Sequence, residues 1–414
     1  SVIGRLIWKE PADSGMDGSL QSSRIERTKK NMTARKGKSP SLLRSGMGPG
    51  IWMVALLFCT DVAFAEESAP PATGYEKSGG YERYGFLRER DLTPFGFLRL
   101  DMRPASAEWI PPGGWGLEVD LGYQNTWAFS NNVRDYLSAQ KGRHTLTQAD
   151  ADAIRALPGE SYLVDLELGL LDFVLHRQLT DRWSVNGSVS AVHYGGGFLD
   201  GTIEDFHKTF GFGTDWRDTA ARNRANLIFN LKGVQSTYIN SVPEGGLLDP
   251  ILGVRYSLMP GPAPLNLVLE SSVKVPVAGE RNFLSTGNAD VGVQATLQGF
   301  SGRHAGYLSA AAVRTRGDAF TPYDRTQIIP TYIVGYELSL THRTAVIGQF
   351  SVSPGVLNHN ETDLPELLAK KYQISFGVRH RVDASVFTFA FTENMINLNN
   401  TPDIGFQFAW TYSP

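Results

Sequence analysis

The sequence predicts an all-β protein, a transmembrane antiparallel up-and-down β-barrel of about 12 strands. Three features carry that expectation: a secretory leader, long stretches in which apolar and polar residues alternate, and a regular succession of short turns and long polar loops. Alternation places one face of a strand in an apolar medium and the other in a polar one. A soluble β-sandwich alternates as well, but over strands of about five or six residues. Here the runs reach roughly ten residues or more, the length that a tilted strand needs to cross a bilayer.

Composition is compatible with this class. The chain has 414 residues, a formal net charge of −3 and a mean hydropathy of −0.20. That hydropathy excludes a bundle of membrane helices but not a barrel, whose strands show water and lipid alternate residues. No basic stripe points to nucleic acid. The single cysteine, Cys59, falls in the leader, so the mature chain is expected to lack disulfides, thiolate metal sites and a cysteine nucleophile.

Residues 1–46 show no periodicity and are expected to be an upstream extension, with native translation from Met47. Residues 47–65 have the features of a signal peptide: basic residues Lys36, Lys38 and Arg44 precede it, Ile51–Cys59 is its apolar run, and Ala63-Phe64-Ala65 ends it. The run is too short for a membrane-spanning helix, which needs roughly 20 apolar residues. Residues 66–113 are expected to be a periplasmic linker or a plug inside the barrel, and 114–414 the barrel itself.

In the first strand Leu117, Val119, Leu121 and Tyr123 alternate with Glu118, Asp120, Gly122 and Gln124. In the second, Val164, Leu166, Leu168 and Leu170 are read as facing lipid, and Asp165, Glu167 and Gly169 as facing the lumen. Later strands alternate alike: Leu265, Leu267 and Leu269 oppose Asn266, Glu270 and Lys274, and Val291, Val293 and Leu297 oppose Asp290, Gly292 and Gln294. The same holds for Tyr332–Leu340, Tyr372–Val378 and Ile404–Tyr412. Aromatic residues at strand ends (Tyr123, Trp183, Tyr332, Trp410, Tyr412) suit interfacial girdles. Short turns near 180–182, 259–264, 300–303, 341–343 and 382–383 alternate with long loops at 131–160, 195–249, 276–288, 315–327, 353–369 and 395–402. The two kinds alternate only if 226–240 is a small hairpin within the second long loop.

The last strand, Asp403-Ile-Gly405-Phe-Gln-Phe408-Ala-Trp410, resembles the assembly signal of outer-membrane barrels, although the chain continues to Pro414. That resemblance implies the barrel-assembly machinery as a partner. Residues 195–210 (GGGFLDGTIEDFHKTF), with Arg88–Pro94 before the barrel, resemble an uncharacterised family of bacterial outer-membrane-type proteins of unknown function. The likeness covers most of 84–412 and implies location and fold but no site. A weaker similarity, to transporters of hydrophobic compounds, rests on Lys274-Val-Pro276-Val-Ala-Gly279-Glu280 at a strand end. In that similarity residues 81–113 would enter the lumen as a hatch.

Two groups of residues are candidate sites. Asp200–Phe210 reads as a short helix in the second loop, with Ile203, Phe206, His207 and Phe210 on one stripe and Phe198 just before it. It is read either as a lid whose stripe touches a solute or as an external helix packed on its neighbours. The second group comprises charges expected in the lumen, Glu118, Asp120, Asp165 and Glu167 on early strands, and Arg255, Lys274, Lys371 and Arg379 on later ones. They would either orient a solute by their transverse field or pair across a filled interior.

Catalytic chemistry finds no support. The sequence has no G-x-S-x-G elbow and no H-x-S pair, and Glu204 and Asp205 project from different helix faces, so no catalytic residue, metal or cofactor is expected. His176, His193, His342 and His380 read as interfacial residues at strand ends. The expected function is a channel or transporter for a small solute in the outer membrane of a Gram-negative bacterium, in contact with that membrane's lipids. A barrel with an envelope-structural or interaction role, presenting its external loops, is the alternative. An outer-membrane lipid-modifying enzyme ranks third.

Overall fold

A computed structural model describes residues 84–105, 110–211, 216–259, 264–278, 283–316, 326–396 and 399–413, without the side chains of Phe206 and Phe210. The expected upstream extension and signal peptide lie outside the described residues.

The strands are β1 (Trp115–Phe129), β2 (Ser161–Gln178), β3 (Trp183–Gly195), β4 (Asn226–Asn230), β5 (Gln235–Ile239), β6 (Gly245–Leu247), β7 (Ile251–Ser257) and β8 (Leu265–Lys274). They continue as β9 (Asp290–Ser301), β10 (His304–Arg316), β11 (Thr326–Ser339), β12 (Thr344–Ser353), β13 (Lys371–Val382), β14 (Ser385–Met395) and β15 (Ile404–Tyr412). Twelve of them, all but β4, β5 and β6, pair antiparallel with their neighbours around a full circle that closes where β15 meets β1. Closure leaves the wall no free edge. The hairpin β4–β5 adds to β2 where that strand rises above β3, and β6 is a short addition to β3.

The registers set the two faces. Val119 pairs Trp410, Leu121 pairs Phe408, and Tyr123 pairs Phe406, so apolar positions of adjacent strands share the outside. The outer surface is apolar: Leu121, Phe173, Val293, Leu308, Val334, Phe376, Phe389 and Phe408 are all exposed. Water would make such a belt costly, and a bilayer accommodates it. At the short-turn end Trp183 lies against Tyr256 and Trp410 against Tyr412, an aromatic border of the kind found at membrane interfaces. Among the described residues no helix is long and apolar enough to cross a membrane. The chain is thus a closed barrel that crosses the bilayer with strands.

β2 departs from the sequence reading. Glu118 pairs Val174, Asp120 pairs Asp172, and Gln124 pairs Leu168, so Val164, Leu166, Leu168 and Leu170 face inward. Asp165 and Glu167 face outward, opposite Trp127 and Asn125. An alternating pattern distinguishes two faces without saying which one meets the lumen, and a shift of one residue exchanges them. Two pieces of chain reverse the usual polarity here. The inward leucines meet apolar residues within the barrel, including Leu92, Phe95 and Phe97. The outward acids are covered by the second long loop.

The helices occupy loops at the opposite, long-loop end: α1 (Asn131–Ser138), α2 (Gln148–Arg155), α3 (Asp200–Phe210) and α4 (Pro365–Leu368). Thr147 caps α2 by a reciprocal capping box with Asp150, satisfying donors that a helix start otherwise leaves open. Val133 and Leu137 of α1 and Ala151 and Ile154 of α2 pack on Trp127, Leu163 and Ile228 on the outside of the raised β1–β2–β4 sheet.

Candidate functional site: a filled lumen

Residues 84–105 run inside the barrel. The segment starts near the short-turn end, where the Tyr84 hydroxyl donates to the Arg343 carbonyl at 2.8 Å. It rises past Gln349, whose Oε1 accepts Leu87 N–H at 3.1 Å, and past Gln407, which accepts Arg90 N–H at 3.3 Å. Its apex is a 3-10 turn, Gly96–Leu98, preceded by Phe95 in the left-handed region at φ 68°. Phe95 is held there among aromatic rings, 4.8 Å from Phe283 and 6.2 Å from Tyr194. The chain then descends. Leu100 N–H donates to Asp290 at 2.9 Å, Gln294 donates to the Met102 carbonyl at 2.9 Å, and Gln298 donates to that of Ala105 at 3.3 Å.

Ion pairs fasten both limbs to the wall. Arg88 reaches Glu118 at 2.9 Å. Arg103 lies 3.5 Å from Glu118, 3.6 Å from Asp120 and 3.4 Å from Asp172, and Arg90 lies 3.5 Å from Asp172. Lys371 binds Asp91, and Lys274 donates to the Leu98 carbonyl at 2.6 Å while pairing with Asp290 at 3.2 Å. Arg379 donates to the Gly85 carbonyl at 2.5 Å and pairs with Glu337 at 3.0 Å. Away from water each pair has a desolvation cost that only close geometry and further hydrogen bonds offset. Removing one partner is correspondingly severe.

Wall glycines make room for the segment. A Cβ on Gly377 would lie 2.7 Å from Leu87 Cδ2, and one on Gly292 would lie 2.5 Å from Met102 Sδ. Both distances are closer than real carbon contacts, so at these two places the apolar side chains of the segment sit directly on wall backbone. Two cavities of mixed polarity lie beside its limbs, and an apolar one of about 60 Å³ lies against Thr93, Pro94 and Phe95 near its apex. Of the first two, one of about 60 Å³ is lined by Glu118, Asp120, His176 and Arg255, and one of about 80 Å³ by Glu89, Asp101, Gln349 and Thr392. Each has room for a few waters and is well below the roughly 300–1,000 Å³ of a drug-sized pocket. A further concavity, about 750 Å³, lies outside the lumen, on the outer surface between Trp183, Leu269, Val293 and Tyr332.

Of the eight charges read as luminal, six meet the segment or its ion-pair network: Glu118, Asp120, Lys274, Lys371 and Arg379 as above, and Arg255 through Glu270 at 2.5 Å and His176 at 3.3 Å. Asp165 and Glu167 do not. Asp165 accepts from Asn226 of β4 at 2.8 Å. Glu167 accepts backbone N–H groups of Phe198 and Leu199 at 2.9 and 2.8 Å and the hydroxyl of Tyr123. The same loop places α3. Asp200 accepts from Asn125 at 3.2 Å and Arg217 at 2.7 Å, while Phe198, exposed at 66%, stacks on Tyr123 at 5.0 Å. Asn125 and Tyr123 belong to the outward face of β1, so these contacts tie the start of α3 to the outside of the wall. Ile203 is buried and His207 half-buried.

Sequence reasoning missed several partners. Asp172 on β2 and His176, read as an interfacial residue, face inward. His176 is buried between Glu118 and Arg255, each at 3.3 Å. Arg88, Arg90 and Arg103 lie before the first strand, where periodicity has nothing to report. Their spacing in a segment otherwise rich in Phe and Leu was the available signal.

The geometry defines a transmembrane barrel whose own chain fills its lumen. The chain belongs to a family described as protein of unknown function (DUF3187), whose match spans residues 137–413. No curated protein matches it. Among solved structures it is similar to the COG4313 outer membrane channel from Pseudomonas putida F1, with 12% identity, a TM-score of 0.47 and coverage of 75% of this chain and 99% of that one. It is also similar to the NanC porin (6% identity, TM-score 0.38, coverage 72% and 100%) and to the CymD monoaromatic hydrocarbon channel (11%, 0.32, 83% and 97%).

Proposed function

We propose that the protein is an outer-membrane channel of a Gram-negative bacterium for a small solute, closed in this conformation by residues 84–105. In this reading the apolar belt meets outer-membrane lipids, and β15 is the strand engaged by the assembly machinery. The observation that carries the reading is the way the segment is held. The described hydrogen bonds and ion pairs from segment to wall run through side chains on one partner or both, and these can re-pair with water or with one another when the segment moves. The apolar inner wall of β2, which includes Val164, Leu166, Leu168 and Leu170, supports a hydrophobic solute.

Planar-bilayer recording of the full chain and of a variant lacking residues 84–105 tests this. The full chain is expected to be silent most of the time and the variant to show steady unitary conductance. Heat-modifiable gel mobility checks that the variant is folded. A folded variant that stays silent would overturn the channel reading. It would favour an interaction barrel, for which the loop helices at the long-loop end offer a surface.

A further inference from the structure

Among the described residues, one arginine of the luminal segment has no counter-ion. Arg99 follows directly after the apex turn and is 6% exposed. Its Nε and Nη2 are buried, and neither has a hydrogen-bond partner. The other three arginines of the segment, Arg88, Arg90 and Arg103, each have a carboxylate, as do all four basic wall residues described above. A guanidinium cannot discharge itself by losing a proton, and an unpaired buried charge is among the costliest arrangements an interior can hold. A site of this kind is complete only when an anion occupies it.

Its position indicates the rest of the ligand. Leu98 on one side belongs to the large apolar cluster with Phe95, Phe97 and Leu166. Leu100 on the other belongs to a second cluster with Met102, Ile251 and Val313. The polar groups closest along the chain are already engaged: the Leu98 carbonyl with Lys274, and Leu100 N–H with Asp290. Arg99 is therefore a buried cation beside the apex turn, whose two chain neighbours each belong to an apolar cluster.

We infer that Arg99 binds the carboxylate of a small organic acid with an apolar body, and that such acids are the solutes of the channel. The inference rests on the channel reading for its second half, while its first half concerns binding alone. A planar guanidinium takes a carboxylate by two parallel charge-assisted hydrogen bonds, and the leucine-rich flanks take the apolar body.

Calorimetric titration of the purified full chain in detergent tests it, with sodium benzoate, benzyl alcohol and inorganic phosphate as probes, on wild type and Arg99→Met. Wild type is expected to bind benzoate saturably and at least about tenfold more tightly than benzyl alcohol, the size of one charge-assisted contact. Arg99→Met is expected to lose that preference. It is also expected to melt at a higher temperature than wild type without ligand, because an unpaired charge has been replaced by an apolar chain. A purely structural role would instead lower its melting temperature, and that result would overturn the proposal. So would benzoate binding that is absent in wild type or unchanged in Arg99→Met. Phosphate bound as tightly as benzoate would overturn the apolar-body part. The conductance of the variant lacking 84–105 is independent of these outcomes, so a failure here is distinguishable from a failure of the channel reading.

Discussion

Asp172 illustrates what a charge inside this barrel must satisfy. It is 1% exposed, receives the Ser190 hydroxyl, and lies 3.5 Å from Arg90 and 3.4 Å from Arg103, so one wall carboxylate holds both limbs of the luminal segment. Asp172→Asn keeps the shape but removes the charge, and breaking a buried pair in this way costs about 3–5 kcal/mol. We expect the loss to appear in bilayer recordings as frequent brief openings. Glu204 on α3 makes the same point outside the membrane. Burial pushes its carboxyl up, but hydrogen bonds from Arg222 and Arg143 at 2.6 and 2.7 Å outweigh that and hold it below the ordinary 4.5. A depressed carboxylate stabilises the fold above its unfolded value, and the contribution is lost as pH falls through the folded value. Hydrogen exchange over 200–210 should therefore accelerate below about pH 4.5. Glu204→Gln should show the faster rate already at neutral pH, because the neutral amide loses the charge-assisted contacts to Arg143 and Arg222.

At the scale of elements, the luminal segment and the wall are shaped for each other without a shared sheet. Gly377 on β13 and Gly292 on β9 let Leu87 and Met102 reach wall backbone. Gly377→Leu fills the space that Leu87 occupies, and the barrel, paired on both sides of β13, is the stiffer partner. Displacement of the segment is the expected response, read as increased conductance with an unchanged strand content by circular dichroism. An unchanged closed state would mean that the segment is not the closing element. The β4–β5 hairpin has a different task. It continues β2 past the end of β3, and its Leu227 and Phe229 join the inward cluster while Ile228 joins the outer one with α1 and α2.

The whole molecule is an exchange of media, with apolar belt outside, charged and partly apolar filling within, and loop helices at one end. Val334 sits midway along β11 on the outer face and is exposed. Val334→Arg should cost about 2–4 kcal/mol in a bilayer, the charge being on the lipid face near midplane, measured as a lower urea midpoint in vesicles. The same change at a position already in contact with water should be close to neutral.

Most of the barrel was legible in the amino-acid sequence because strand alternation is a local property, with a period of two, that survives in every span whatever lies across the sheet. Glu118 and Asp120 on β1 follow that period, and the structure puts both against Arg103 of the luminal segment. The facing of β2, and with it Asp165 and Glu167, was decided by tertiary structure alone, since a two-residue period is symmetric between faces until something covers one of them. Here the luminal segment covers the inside with Leu92 and Phe97, and the second loop covers the outside with Phe198 and Asp200. Arg99 was hidden for the complementary reason. No sequence pattern reports a missing partner, because an unpaired charge becomes visible only after every other side chain has found its place.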